Sequence, residues 1–392
     1  MTALLPARTW RGAHVSSLDG LRGVAVLGVL LFHADLLPGG FLGVDLFFAL
    51  SGYLITDLLL REAAATGTVS LVAFWGRRIR RLFPALATVL VVVTVVVWLV
   101  APDDVVRTTL GDGPWVQANL QNWHLLAESA SYWDRFGASR VFEHLWSIAV
   151  EEQFYLVWPV VVLVLARRNG NAVAVTAALV SLGSLVLMIT LFDAADPTRA
   201  YTGTDTRAFS LLLGAAVATP LVREALGRAV QRWAGGVLMA LMAGIAVVWA
   251  LADGTGSPWL YTGGLFAHSL TAALLVGLCA QAPDALVPRA LSWRPLRWFG
   301  EISYSLYLWH WPVFVALAAT SGRERTALAF GVSILLAALT KYLVEDPIRF
   351  RARWASGRRG LVVFVAAMVA LALLWVLLPA PAPPSIDVSR LG

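Results

Sequence analysis

An all-α, polytopic membrane bundle is the fold class that this sequence predicts, on three observations. Of its 392 residues, 59% are hydrophobic and only 14% are charged, whereas a soluble domain carries about 25% charge. The apolar residues gather into runs near the roughly 20 residues that a helix needs to cross a bilayer. The arginines sort to alternate connections between those runs.

Eleven runs can be marked, near 20–37, 43–60, 82–101, 144–165, 172–192, 207–221, 235–252, 259–280, 297–320, 326–344 and 361–378. On one side lie Arg8 and Arg11; Arg61, Arg77, Arg78, Arg80 and Arg81; Arg167 and Arg168; Arg223, Arg228 and Arg232; Arg289, Arg294 and Arg297; and Arg349, Arg351, Arg353, Arg358 and Arg359. The other side has Arg107, Arg135, Arg140, Arg199, Arg323, Arg325 and Arg390. Twenty basic residues against seven, alternating loop by loop, put the N-terminus in the cytoplasm and the C-terminus outside. The net charge of +6 is thereby a matter of topology, and no nucleic-acid partner is expected. The single cysteine, Cys279, excludes an internal disulfide and offers no metal cluster. MTALLPARTWRGAHVSSLDGLRG leads straight into the first run without a small-residue cleavage pattern, so no cleavable signal peptide is expected.

The organisation expected is one membrane domain over 1–378 and a Pro-rich outer tail over 379–392. Segment 102–143, acidic and aromatic, reads as a folded exterior loop. Its Trp115, Trp123, Tyr132 and Trp133 suit either stacking on sugar rings or an interfacial aromatic belt.

Ionisable groups within spans are expensive, so each is a candidate for function. Arg22 and His33 are eleven residues apart, which on a helix places them on one face about 16 Å apart. The turn LPGG then returns Asp45 toward His33. Such a carboxylate would fix the imidazole tautomer for proton transfer, or the pair would pin a hairpin. Ser51 and Tyr53 are nearby polar supports or packing residues. In EHLWSIAVEEQFYLVWP, His144 and Glu151 are seven apart, hence on one helical face, and Glu152 follows. Adjacent glutamates in an apolar run must meet a cavity, a partner or a proton; Arg207 is one candidate partner. In GEISYSLYLWHWPV, Ser303, Tyr307 and His310 form one polar stripe, either catalytic support or a packing face. WGRRIRRLFP carries Arg77, Arg78, Arg80 and Arg81, which suit phosphate oxygens or serve topology alone; EDPIRFRAR is a weaker case.

Taken together, SLDGLRGVAVLGVLLFH, FLGVDLFFALSGYLIT, RRIRRLFP, HLWSIAVEEQFYLVWP, RAFSLLLGA, ISYSLYLWHWP and VEDPIR, ordered from residue 17 to 349, resemble the acyltransferase-3 family of bacterial membrane O-acyltransferases of the OafA-like type. The resemblance implies a ten-helix core, here with an eleventh span, in the bacterial cytoplasmic membrane. It implies transfer of an acyl group, commonly acetyl, from cytoplasmic acyl-CoA to a hydroxyl on an envelope glycan, glycolipid or secondary metabolite. By resemblance His33 is the essential histidine and Arg22 the essential arginine. Arg77, Arg78 and Arg81 form the arginine motif, Glu151 and Glu152 the glutamate motif. Some members add an extracytoplasmic SGNH hydrolase-like domain; these 392 residues contain none.

The mechanism expected has Arg77, Arg78, Arg80 and Arg81 on the phosphates of acyl-CoA and Arg22 along the pantetheine path. His33 acts as base, oriented by Asp45, Glu151 or Glu152, or else carries the acyl group itself. His144, Arg207, Tyr307 and His310 are supports. Neither a bound cofactor nor a metal is called for, and membrane lipid is the surrounding partner. The rival class is a transporter or proton-coupled channel, since buried Arg, His, Asp and Glu also build translocation paths. No inverted repeat or pair of broken spans supports it.

Overall fold

In an apolar medium backbone amides must find partners within their own segment, so apolar runs coil into helices. The structure, a computed structural model, describes residues 15–382 apart from 134–139, 167–169, 231–232, 319–321, 353–354 and 356. Of the arginines tallied above, Arg8, Arg11, Arg135, Arg167, Arg168, Arg232, Arg353 and Arg390 lie outside the described residues, as does the tail beyond 382.

Among the described residues the α-helices are α1 Ser16–His33, α2 Gly43–Thr66, α3 Leu71–Val100, α4 Asp103–Gln117, α5 Gln121–Ala127, α6 Trp146–Ala166, α7 Gly170–Thr190, α8 Thr198–Thr202, α9 Thr204–Ala218, α10 Pro220–Val230, α11 Ala234–Leu251, α12 Gly264–Gln281, α13 Leu286–Leu291, α14 Arg294–Ala316, α15 Gly322–Thr340 and α16 Gly357–Leu377. Short 3₁₀ turns precede α2, α6 and α12, and π-type turns continue α15 through Lys341–Glu345 and Pro347–Arg351. No strand occurs among them.

Nine of these helices are long and apolar enough to span a membrane, and α9 with α10 makes a tenth through a 71° bend. The chain is a multi-pass helical membrane protein. The remaining expected span is α14, whose 23 residues reach about 34 Å. Its sequence RPLRWFGEISYSLYLWHWPVFVA is polar through its first half, which keeps it below the apolarity of the others. Another difference lies at α3, which starts at Leu71 and not near 82. The arginine run is therefore helical, four residues on the N-terminal side of Pro84, and not part of a loop.

The chain divides into two compact units. The first comprises residues 1–71, 154–192 and 205–301, and its helices meet through small residues. A Cβ on Gly52 of α2 would lie 1.8 Å from the Leu211 carbonyl oxygen, and one on Gly214 of α9 would lie 2.1 Å from that of Ala49. This reciprocal crossing works only with bare backbone, as in close-packed membrane helices generally. The same helical faces carry Asp45 one turn before Ala49, and Arg207 and Ser210 one turn before Leu211 and Gly214. The α2–α9 contact therefore fixes where those polar groups meet.

The second unit comprises residues 72–153, 193–204 and 302–392. The described part of segment 102–143 is folded, as expected, and built on α4 and α5. Arg140 donates to Asp112 at 2.8 Å and to Glu128 at 2.5 Å. α16 lies against α4, with Trp375 over Gly113, where a Cβ would come 2.5 Å from the indole. Beyond α16 the chain is held by Trp98, whose indole N–H donates to the Pro379 carbonyl, and by Arg107, which donates to that of Ala382 at 2.8 Å.

Candidate active site

α1 runs unbroken from Ser16 to His33 and so carries both Arg22 and His33. His33 ends the helix, half-buried, and its Nδ1 lies 3.0 Å from the Val29 carbonyl oxygen one turn back. A carbonyl only accepts, so Nδ1 carries the proton and the lone pair of the neutral ring is on Nε2. The tautomer that a general base needs is set by the histidine's own helix.

The pairing expected between His33 and Asp45 is not the one formed, and this corrects the hairpin reading. Asp45 Oδ1 accepts from Arg207 Nη2 at 2.8 Å, from Ser269 Oγ at 2.9 Å and from Ser210 Oγ at 3.0 Å. Asp45, Arg207, Ser210 and Ser269 are all fully buried. The physical reason is the α2–α9 glycine crossing, which brings the guanidinium to the carboxylate and satisfies a charge that lipid would not tolerate. Next to this cluster Trp249 donates to His268 Nε2 at 3.0 Å, leaving the His268 proton on Nδ1. Ser51, expected as a polar support or a packing residue, accepts from the Tyr155 hydroxyl at 3.0 Å; Tyr53 is buried on the same helix.

In the second unit His144, Tyr307 and His310 come together. Tyr307 donates to the His144 carbonyl at 2.9 Å and lies 2.6 Å from Ser147 Oγ. His310 Nδ1 donates to the Tyr307 carbonyl at 2.6 Å, and His144 Nε2 to that of Leu308 at 3.2 Å. The imidazole rings of His144 and His310 sit edge to face, 5.3 Å apart. His144 lies on the 3₁₀ turn before α6, not on the helix that carries Glu151.

The arginine run presents a mixed face. Arg77 is exposed, while Arg78, Arg80 and Arg81 are half-buried. Arg78 and Glu152 line one cleft of about 100 Å³, with Tyr304 donating to the Leu82 carbonyl beside it. Arg81 and Lys341 are the cations acting on Glu345, which accepts from Ser305. Glu345 begins the EDPIR stretch and lies in the π-type turn, a feature common at functional positions. Glu151 is half-buried on α6.

The aromatics of segment 102–143 divide. Trp115, stacked on His124 at 5.0 Å, and Trp123, under Arg199, stay exposed. Tyr132 and Trp133 pack against Tyr201, which also meets Trp146.

Sequence reasoning did not single out Ser210, Ser269, His268, Trp249 or Glu345. Ser210 had a signal, since it follows Arg207 by three in RAFSLLLGA and so shares its face. Ser269 and His268 stand alone in an apolar helix, where spacing says nothing.

The chain also has relatives among known proteins. A family model described as an acyltransferase domain matches residues 15–345. The YrhL protein of Bacillus subtilis is 38% identical over 370 residues, covering 90% of this chain and 57% of that protein. The peptidoglycan O-acetyltransferase OatA of Listeria monocytogenes is 36% identical over 351 residues, covering 86% of this chain and 56% of its own. The O-acetyltransferase OatA of Staphylococcus aureus matches at the same identity, with 57% of its length covered. The chain thus spans somewhat over half the length of these curated relatives. No solved structure matches it. With a family model running through both units and through six of the seven motifs quoted above, the chain belongs to the acyltransferase-3 family of membrane proteins.

Proposed function

We propose that the protein is a bacterial cytoplasmic-membrane O-acyltransferase. It moves an acyl group, acetyl first among the candidates, from cytoplasmic acyl-CoA to a hydroxyl of an envelope glycan. The observation that carries this reading is the His33 tautomer, with Nδ1–H committed to Val29 and the lone pair on Nε2. The relatives named as a peptidoglycan O-acetyltransferase and an O-acetyltransferase make peptidoglycan the first acceptor to try.

In the proposed step Nε2 of His33 removes the proton of the acceptor hydroxyl, and the oxygen attacks the thioester carbonyl. The carbon–sulfur bond breaks, an ester forms, and the CoA sulfur leaves with the proton that the imidazolium returns. Arg22 lies further down the same helix, along the donor's path. Arg77, Arg78, Arg80 and Arg81, at the start of α3, hold the donor phosphates through paired N–H groups. Glu152 orients Arg78, with Glu151 beside it. Asp45 serves by fixing Arg207, not by orienting His33. Arginine-rich connections on the donor side and the α4–α5 segment on the acceptor side follow from the charge asymmetry.

The test is purified protein in bilayer discs with radiolabelled acetyl-CoA and solubilised peptidoglycan fragments. Label in the glycan, released by mild base as acetate, supports the reading. Acetyl-CoA that binds without transfer to this or any other envelope glycan would overturn it.

A further inference from the structure

The cleft that contains Arg78 and Glu152 has a wall that belongs to none of the family motifs. Along α3 one stripe lines it at every fourth residue, Arg78, Leu82, Leu86 and Leu90, about 18 Å from first to last. The stripe is cationic at its start and apolar beyond. The facing wall is Phe364, Met368 and Leu371 of α16, a helix that begins at Gly357, past the end of the family match at 345. Phe364 closes one side edge-on against Phe83, with ring centroids 4.9 Å apart.

This wall is held at one depth. Gln117 Nε2 donates to the Met368 carbonyl at 2.8 Å, and its Oε1 accepts from Trp375 Nε1 at 2.7 Å. Helix carbonyls in an apolar helix already have partners, so a second, side-chain bond there is a specific anchor. A cleft of about 100 Å³ is two-thirds of the roughly 150 Å³ cavity that binds benzene. By that scale it holds about four heavy atoms, the size of a short acyl group and not of a fatty chain.

We infer that α16 is a specificity wall: Met368 and Leu371, registered by Gln117, measure the acyl end of a short-chain acyl-CoA that reaches into this cleft. The inference rests on the acyl-CoA reading above and adds the residues that set acyl length. Enlarging the wall admits longer acyl groups without removing the charge that binds the donor.

The experiment is competition binding on the full chain in bilayer discs. Radiolabelled acetyl-CoA is displaced by acetyl-, butyryl- and hexanoyl-CoA, in the parent and in Met368→Ala, Leu371→Ala and Leu373→Ala. Leu373 is 49% exposed on the outer face of the same helix and serves as control. One methylene in an apolar pocket is worth about tenfold or more. The parent should therefore prefer acetyl over hexanoyl, and Met368→Ala should shift that ratio toward hexanoyl by about tenfold, with Leu373→Ala unchanged. A butyryl-CoA bearing a terminal diazirine should label peptides within 364–371, blocked by acetyl-CoA and not by phosphatidylglycerol. Unshifted ratios, or label elsewhere while acetyl-CoA still binds, overturn the inference and leave the functional reading standing. Protection by phosphatidylglycerol alone makes the cleft a lipid site and overturns it. Failure of acetyl-CoA to bind at all overturns both.

Discussion

Arg207 Nη2 donates to Asp45 Oδ1 at 2.8 Å with both side chains wholly excluded from solvent. Breaking a buried pair on one side leaves a bare charge and costs about 3–5 kcal/mol, whereas replacing both partners with apolar groups can be near neutral. Asp45→Asn and Arg207→Met should each strongly lower the unfolding midpoint in detergent. The double variant Asp45→Leu with Arg207→Met should recover most of the loss. Additive losses would show that the pair does not act as a unit.

The helix crossing behind that pair makes its own prediction. Gly52→Ala and Gly214→Ala push a methyl into a facing carbonyl, and overpacking of this kind costs about 1–3 kcal/mol. Gly183→Ala, with nothing within 4 Å of its Cβ position, should be neutral or slightly stabilising, because alanine favours helix by about 1 kcal/mol over glycine. Thermal unfolding of the three variants side by side checks the contrast.

The arginine run predicts a binding defect. Arg77→Ala and Arg81→Ala should raise the KM for acyl-CoA about tenfold with a smaller change in kcat, the scale of a lost charged hydrogen bond. Arg78→Lys should not restore full affinity, since a point charge does not replace a planar fork. Steady-state kinetics with donor varied against saturating acceptor separates the two constants.

The α4–α5 segment predicts a pH effect with two opposed parts. Burial raises the Asp112 carboxyl above the ordinary aspartate range, outweighing Arg140 and His124. The hydrogen bond from Arg140 holds the Glu128 carboxyl below the ordinary glutamate value of 4.5. A lowered acid stabilises the fold above its ordinary value, and that stability is lost as pH falls through the folded one; a raised acid does the reverse. Asp112→Asn should therefore leave a segment that loosens on acidification below about 4.5, by on the order of 1 kcal/mol or less since Glu128 is half-exposed. Glu128→Gln should leave one that tightens as pH falls toward the same range. Hydrogen exchange of residues 103–127, corrected for intrinsic rates, reads both.

Much of the fold was legible because lipid leaves few choices. Apolar length marks helices. The start of α3 was misjudged because the arginines of GRRIRR broke the apolar run while leaving the helix intact. α14 was marked as a span although its polar first half sets it apart from the other ten. At the candidate site the helical spacing of Arg22 and His33 could be read directly, being local to α1. The partner of Asp45 could not. It depends on a crossing between residues 162 apart in sequence, and hairpin proximity to His33 was the nearer and wrong inference. The role of α16 was equally hidden, because Phe364, Met368 and Leu371 look like any lipid-facing residues until α4 is seen to hold them.

The most direct test of the account is transfer of label from acetyl-CoA to peptidoglycan fragments by the parent protein and by His33→Ala, at equal folded amounts checked by thermal unfolding. Loss of a positioned general base lowers rate about 10²–10⁴-fold. The account predicts a loss of that size, with acetyl-CoA binding retained. Equal transfer by both proteins would contradict it and remove His33 from the chemistry.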